Sequence, residues 1–493
     1  MTRTRSRFFA TAALLALATF VAQKSFSSPD DQSSHISRIE KGLLPAVIIK
    51  GQSTRAASVS ERMAHFKVPG VSVAYFDHGQ ILWARGYGFA DVAAKKPVTP
   101  DTLFQAASVS KPVAALAMLR LVQDGKLFLD EEVNAKLHSW KVPENEFTKE
   151  QKVTLRRIVS HSAGLTVHGF PGYASDETIP TTVQILNGEK PANNEAIRVD
   201  TIPGTQWSYS GGGYVIMQLL LTEIVDKPFP QIMHDLVLNP VGMTRSTYQQ
   251  PLPEDLRPSA ATPYLGDGQP VKGGAHTYPE MAPAGLWTTP SDLARVAIEV
   301  QNEYAGKSTK ILSQEMARQM LTRQKNDSGL GFGLGNEGAN LRFGHGGANE
   351  GYRCNLQAYA ESGQGVAIMT NSDSGDLLAS EYLRAVAKEY SWPDFQPVER
   401  TVAKMDLAVF SADAGTYEDP TVGKIVVTTK DGKLYINARP LGPEPEQLFP
   451  QSDGKFFVLS REFTFEFPKG EHGAVAKLLI HVGPQTFEAK KLP

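Results

Sequence analysis

Ser108-Val109-Ser110-Lys111 stands at the head of an alanine- and leucine-rich run that extends to Gln123 and is closed by Gly125. The run has the length and apolar content of a buried helix from about Ser108 to Gln123, with glycine where a left-handed residue would end it. Residues three apart on a helix share a face, so Lys111 can reach the Ser108 hydroxyl. A helix start also presents unpaired N–H groups and a partial positive charge, both favourable to a developing oxyanion. A serine hydroxyl is a weak nucleophile at its free pKa, and a desolvated lysine or a paired tyrosine supplies the base it lacks. The spacing alone decides nothing. Ser452-Asp453-Gly454-Lys455 repeats it across a β-turn that leads into a strand.

Outward from this stretch, Val71–Tyr75 and Ile81–Arg85 are β-rich runs separated by Asp77-His78-Gly79, the pattern of a hairpin. The middle third mixes helical segments with loops rich in Pro, Gly and Asn at 164–207 and 250–285. Thr289-Pro290-Ser291-Asp292 opens another helix, with a hydroxyl cap, proline at the first position and an acid in the first turn. β-Runs at Tyr352–Tyr359 and Val366–Thr370 precede a helix over Asp376–Tyr390. The composition changes at Trp392-Pro393-Asp394-Phe395-Gln396-Pro397. Beyond it Ile425–Thr429, Leu434–Asn437, Phe456–Leu459, Phe463–Phe467 and Leu478–Val482 alternate with period two, with an Asp431-Gly432 turn. Short strands at that spacing indicate a β-barrel or sandwich. The expected division is a signal peptide at 1–27, a polar leader at 28–60, a mixed α/β body at 61–392, a linker at 393–404 and an all-β unit at 405–493.

The chain has 493 residues, 50 Lys+Arg against 52 Asp+Glu, 41% hydrophobic and 21% charged residues. Such a chain can bury a large core, and its net charge of −2 excludes a protein held to nucleic acid by an overall basic face. One cysteine, Cys354, excludes an intrachain disulfide and a multi-cysteine metal site. Arg3, Arg5 and Arg7 followed by the apolar stretch Phe8–Ala22 read as a signal peptide, too short to span a bilayer, with cleavage expected after Ser27 or Ala18. No cysteine follows for a lipid anchor, and no later segment approaches a membrane span, so an exported protein, periplasmic or secreted, is expected.

Three further segments accompany the serine and lysine in order: Leu155-Arg156-Arg157-Ile158-Val159-Ser160-His161-Ser162-Ala163-Gly164-Leu165, Trp207-Ser208-Tyr209-Ser210-Gly211-Gly212-Gly213-Tyr214, and Gly344-His345-Gly346-Gly347-Ala348-Asn349. With Phe104-Gln105-Ala106-Ala107 before the serine, the set resembles the serine β-lactamase and penicillin-binding-protein superfamily over roughly residues 60–390. It is nearest the class C-like branch of D-aminopeptidases, D-stereospecific peptidases, esterases and β-lactamase-related hydrolases. From Ala414-Gly415-Thr416-Tyr417 onward the chain looks like the lipocalin-like β-domain that often follows such a body. The resemblance implies an α/β (α+β) body, an antiparallel sheet flanked by helices with a helical subdomain, and a second, barrel-like domain. It implies Ser108 as the acylated nucleophile, Lys111 to orient and activate it, and Tyr209 to shuttle the proton, as base and then as acid. His345, Gly347 and Ala348 would line the cleft with Gln105 as substrate-binding residues, and the N–H groups of Ser108 and Ala348 would form the oxyanion hole.

Two residues depart from the family pattern. Gly211 replaces the asparagine of Tyr-x-Asn, and His345 replaces the lysine of Lys-Thr-Gly, trading a fixed cation for an imidazole with a reference pKa of ~6.5. Both favour substrates without a carboxylate beside the scissile bond, with neutral substrates preferred at pH 8 and less so at pH 6. His161 reads as a structural hydrogen-bonding residue, and Cys354 as a buried side chain. Gly333–Gly338 fits GxGxxG, but no helix pattern follows it; GxSxG and HExxH do not occur. The expectation is an exported serine hydrolase acting on a D-amino-acid peptide, a peptide natural product or an ester, with no cofactor or metal and no nucleic-acid partner. The alternatives are a β-lactamase or DD-carboxypeptidase, and a non-catalytic peptide- or muropeptide-binding protein. Oligomeric state is left open, and the β-domain is expected to shape access to the cleft.

Overall fold

The computed structural model describes residues 29–404, 413–452, 454–469 and 475–493; the expected signal peptide lies outside the described residues. In chain order the body contains β1 (Val47–Ile49), β2 (Gly70–Asp77), β3 (Gln80–Asp91), β4 (Lys96–Pro97), β5 (Phe104–Gln105), β6 (Trp287–Thr288), β7 (Gly333–Gly335), β8 (Arg342–Asn349), β9 (Tyr352–Tyr359), β10 (Gly365–Thr370) and β11 (Val398–Arg400). Seven of these form one sheet in the order β4-β3-β2-β10-β9-β8-β7, with every neighbouring pair antiparallel. The expected β2–β3 hairpin turns on His78 and Gly79, both at positive φ (53° and 78°), the two-residue geometry that matches strand twist.

Pairing of β2 with β10 joins the two ends of the body, and residues 98–332 form a long excursion between β4 and β7. That excursion supplies the helices Ser110–Gln123, Gly211–Val225 and Pro290–Tyr304. Alternation along β2 sends Val71, Val73 and Tyr75 to one side and Ala74 and Phe76 to the other, so each face of the sheet has its own core. The Ser110–Gln123 helix is buried nearly all round, as its uninterrupted apolar sequence requires. The Pro290–Tyr304 helix begins as expected, with Thr289 accepting from the Asp292 N–H.

Two segments depart from expectation. Residues 29–60, expected as a polar leader, are part of the body: the Pro29–Glu40 helix buries Ile36 and Ile39 against the Gly375–Glu389 helix, and β1 pairs in parallel with β11. Their polar majority, including exposed Asp31, Ser33 and Ser34, marks the solvent face of an amphipathic helix. The expected linker at 393–404 is also tied down. Trp392 is 2% exposed and packs edge-on to Tyr359 at 5.1 Å. Asp394 accepts from Asn336 Nδ2, Tyr359 Oη and Arg342 Nε at 2.7, 2.8 and 3.1 Å.

The C-terminal unit is a closed antiparallel barrel of eight strands: β12 (Gly415–Asp419), β13 (Gly423–Lys430), β14 (Lys433–Ala438), β15 (Glu446–Ser452), β16 (Lys455–Phe457), β17 (Phe463–Glu466), β18 (Lys477–Val482) and β19 (Gln485–Lys491). The alternation read from sequence fills its interior with Ile425, Val427, Leu434, Ile436, Phe456, Phe465, Leu478 and Ile480. Asp431 and Gly432 repeat the positive-φ turn of the first hairpin. The barrel is joined to the body where the Val47 N–H donates to Leu459 O at 2.9 Å, Phe457 packs on Ala46 and Val47, and Arg461 pairs with Asp376. Among the described residues no helix is long and apolar enough to cross a membrane.

Because Trp392 fills the core under Tyr75 and Tyr359, Trp392→Ala is expected to destabilise the body by about 3–5 kcal/mol. Urea unfolding measures this, and limited proteolysis should open the 392–404 passage only in the variant.

Candidate active site

Ala107 holds φ at 49°, a left-handed conformation uncommon for a residue with a Cβ. This bend carries the chain from β5 into a 3₁₀ turn, Ala107–Val109, and the regular helix begins at Ser110, two residues later than expected. Of residues 102–119, Ser108 alone is not buried. Ser110 is an anchor: its Oγ accepts from the Leu286 N–H at 3.0 Å and its carbonyl from the Tyr248 hydroxyl at 2.8 Å.

Lys111 reaches Ser108 as the spacing implied. Its Nζ donates to Ser108 Oγ at 2.9 Å and to Pro283 O at 3.0 Å, and the side chain is 2% exposed. Burial disfavours the ammonium and brings its pKa down to about 7. The Pro283 carbonyl is aimed by Gln218, which donates to Pro279 O at 3.0 Å and accepts from the Ala282 N–H at 2.8 Å. Sequence reading missed this pair. A lone glutamine within the apolar run 214–221 is the signal that could have found it, since a buried amide must be bonded. Glu280, at the start of the same turn, is fully enclosed, and burial pushes its carboxyl up to about 8.

Tyr209 sits just before the Gly211–Val225 helix, which Ser210 caps by accepting from the Gly213 N–H at 3.1 Å. The Lys111 Nζ lies 4.9 Å from the Tyr209 ring centroid. Burial raises the phenol pKa to about 12, with the Ser108 side chain acting in the opposite direction. His161 is buried, and its ring lies 4.2 Å from that of Tyr209. At Gly211 even a Cβ would come within 3.0 Å of the Phe170 ring and 3.1 Å of His168 O, so an asparagine has little room there.

β8 brings the third segment alongside. A Cβ on Gly347 would lie 2.2 Å from Ala106 O, so glycine is what lets this strand pass so close to the nucleophile turn. β7 pairs only with Arg342–Gly344, which leaves the outer edge of 345–349, with exposed Ala348, free of a strand partner among the described residues. The His345 Nδ1 donates to Gly346 O at 2.5 Å, and since a carbonyl only accepts, the proton sits on Nδ1 and Nε2 is the acceptor. The ring edge is open to the cleft, but the surrounding walls and Lys111 push its pKa down to about 4. This corrects the expectation of titration between pH 6 and 8. Gln105 is a second correction. It is fully buried, with Nε2 donating to His276 O at 2.7 Å and Oε1 accepting from Asn349 Nδ2 at 2.8 Å. It ties β5 to the end of β8 and does not reach the cleft.

The cleft, about 480 Å³, is bounded by Tyr209, His345 and Gly346, by Trp207 and Phe332, and by Pro484 and Gln485 from the barrel. Trp207 is fixed there by its bond to Ser328 Oγ at 2.8 Å. The rival Ser452 and Lys455 face each other across paired strands of the barrel, and GxGxxG forms β7 and a 3₁₀ turn. Cys354 is buried on β9 opposite Gly347, and burial pushes its thiol up.

With this geometry in place, the Beta-lactamase family model matches residues 56–389, and a domain of unknown function, DUF3471, matches residues 400–491. Penicillin-binding protein 4* of Bacillus subtilis (strain 168) is 24% identical over 433 residues, 83% of this chain and 92% of that protein. Among solved structures, the octameric penicillin-binding protein homologue from Pyrococcus abyssi superposes with a TM-score of 0.59 at 23% identity, covering 88% of this chain and 98% of its own. The D-amino acid amidase from Ochrobactrum anthropi SV3 superposes at 0.54 with 21% identity, covering 72% and 99%.

A neutral His345 carries a direct consequence. The ratio of kcat/KM for matched esters with and without a carboxylate is expected to stay flat from pH 8 to pH 6. His345→Lys should move the ratio toward the carboxylate ester at both pH values, by at most about 4 kcal/mol for charges 4 Å apart at an effective dielectric of 20. A wild-type ratio that changes between pH 8 and 6 would show that the ring charges in that range.

Proposed function

The chain belongs to the Beta-lactamase family of serine hydrolases, and from that premise we propose that it cleaves an amide or ester through a Ser108 acyl-enzyme. The observation that carries this reading is the buried Lys111 amine 2.9 Å from the one accessible side chain of its segment. Above about pH 7 that amine is neutral, with two N–H bonds and a lone pair. Pro283 O accepts one N–H, and the lone pair takes the Ser108 proton as Oγ attacks. Tyr209, kept protonated by burial, relays a proton to the leaving group and is reprotonated through Lys111. Resemblance implied Tyr209 as the base; the opposite pKa shifts favour Lys111 in that role. The N–H groups of Ser108 and Ala348 receive the oxyanion, a role supported by the unpaired edge of β8.

We further propose that the substrate lacks a carboxylate beside the scissile bond: a D-amino-acid peptide, a peptide natural product or an ester. Support comes from the neutral His345, the crowding at Gly211 and the aromatic wall of Trp207 and Phe332. A β-lactam or a C-terminal D-alanine peptide would bring a carboxylate to a place without a fixed cation. The non-catalytic reading is disfavoured because enclosing an amine beside a serine is costly and serves no binding purpose. Export is part of the proposal and rests on Arg3, Arg5, Arg7 and the apolar stretch Phe8–Ala22.

A fluorophosphonate probe is expected to label the peptide containing Ser108, and Ser108→Ala should lower kcat by several orders of magnitude without changing the circular dichroism. Labelling at Ser110 or Ser452 would overturn the assignment. The base must be unprotonated to act, so kcat/KM for a neutral ester should fall as pH drops below about 7 and level off above it.

Pro484 and Gln485 set the outer wall of the cleft, so replacing both with glycine should change the kcat/KM ratio between a short and a long peptide anilide about tenfold or more. An unchanged ratio would remove the barrel from substrate selection.

A further inference from the structure

His161 holds φ at 56°, in the left-handed region, where histidine is among the few residues other than glycine that are enriched. From there it grips the chain on both sides of Tyr209. Its carbonyl accepts from the Ser208 N–H at 2.8 Å, and its ring Nδ1 accepts from the Ser210 N–H at 3.2 Å. The ring lies against the Tyr209 ring with centroids 4.2 Å apart and planes 31° apart, while Tyr214 backs it at 5.5 Å. A backbone N–H donates to Nδ1, so that nitrogen is unprotonated and the single ring proton is on Nε2. Burial and the nearby Lys111 hold the ring in this neutral form. Nε2 is itself enclosed and has no hydrogen-bond partner among the described residues. A residue present only to fill space would not need the acceptor that the Ser210 N–H reaches.

We propose that His161 is a positioning residue that fixes the Tyr209 phenol within reach of Ser108 and the leaving group, using its carbonyl and Nδ1 as a two-point clamp and its ring as a backing plate. The inference rests on the acyl-enzyme reading with Tyr209 as the proton relay. It places no bond between His161 and substrate. What it adds is the reason a histidine, rather than an aromatic of similar size, occupies position 161.

The test uses the full chain and a neutral ester. His161→Phe keeps a ring but removes the acceptor; His161→Asn keeps a short acceptor and suits the left-handed backbone. With rates normalised to the folded fraction, His161→Phe should lower kcat about 100-fold with KM nearly unchanged, and His161→Asn should recover to within about tenfold of wild type. In a Tyr209→Phe background neither change should lower kcat further, because its target is already gone. Wild-type kcat in His161→Phe, losses in both variants that only follow their melting temperatures, or additivity with Tyr209→Phe would each overturn the proposal. Should His161→Phe not fold, His161→Asn with its KM-against-kcat split and the Tyr209→Phe cycle still decide. Failure of the underlying reading looks different: Tyr209→Phe would keep full activity, or the fluorophosphonate adduct would form away from Ser108.

Discussion

An amine enclosed by protein is the constraint on which the rest of the site depends. Lys111 left in water would be an ammonium with nothing to offer Ser108; enclosed, its charged form is disfavoured until the neutral amine is abundant near pH 7. Enclosure comes from the buried helix Ser110–Gln123 together with the rings of Tyr209 and Tyr214, with centroids 4.9 and 5.8 Å from Nζ, while the amine's bonds go to Ser108 and Pro283. A desolvated amine without an acceptor would be worse still, so the Pro283 carbonyl must be delivered to it. Gln218 does this from a different helix, bonding Pro279 O and the Ala282 N–H in the turn that leads into Pro283. Burial of one group thus dictates the arrangement of three segments.

The same economy governs how distant parts of the chain meet. The nucleophile turn, the Tyr209 segment and β8 lie about a hundred residues or more apart; the sheet brings β8 to the turn, and packing of the Gly211–Val225 helix on its neighbours brings in Tyr209. Pairing of β2 with β10 fixes β9 and then β8, and the missing side chain of Gly347 lets β8 close on Ala106. Gln105 and Asn349 then lock the end of that strand to the residues just before the serine. Precision at Ser108 therefore depends on the sheet register and on buried amides as well as on the Lys111 bond to its hydroxyl.

This division explains what could be read from the sequence. The Ser108–Lys111 spacing, the β2–β3 turn at His78-Gly79 and the alternating barrel strands are local patterns, and local patterns carry to the structure with little change. The helix over residues 29–40 was hidden because two buried isoleucines in a polar run are too few to show a period. Trp392 and Asp394 gave a composition typical of linkers, while their partners, Tyr359 and Arg342, lie 33 and 52 positions away or more in the packed body. The resemblance implies Gln105 as a cleft residue, but a motif match says nothing of which way a side chain points. The charge state of His345 depends on walls drawn from several elements, which no reference pKa contains.

The last wall of the cleft belongs to another core altogether. Pro484 and Gln485 follow a tight turn at Gly483, where Val482 and Gln485 are paired residues of β18 and β19, so their position is set by a closed barrel and not by a free loop. A barrel has no edge along which such a hairpin could slip. The barrel in turn is registered on the body by the Val47–Leu459 bond, the Arg461–Asp376 pair and the contacts of Phe457. The N-terminal segment that resembled a leader supplies Val47, and the segment that resembled a linker supplies its strand partner Val398. Those two stretches thus belong to the contacts that hold the barrel on the body. On the proposed reading, bond cleavage is housed in one core and the outer fit of the substrate in another, with the pair of short strands β1 and β11 as the mechanical coupling between them.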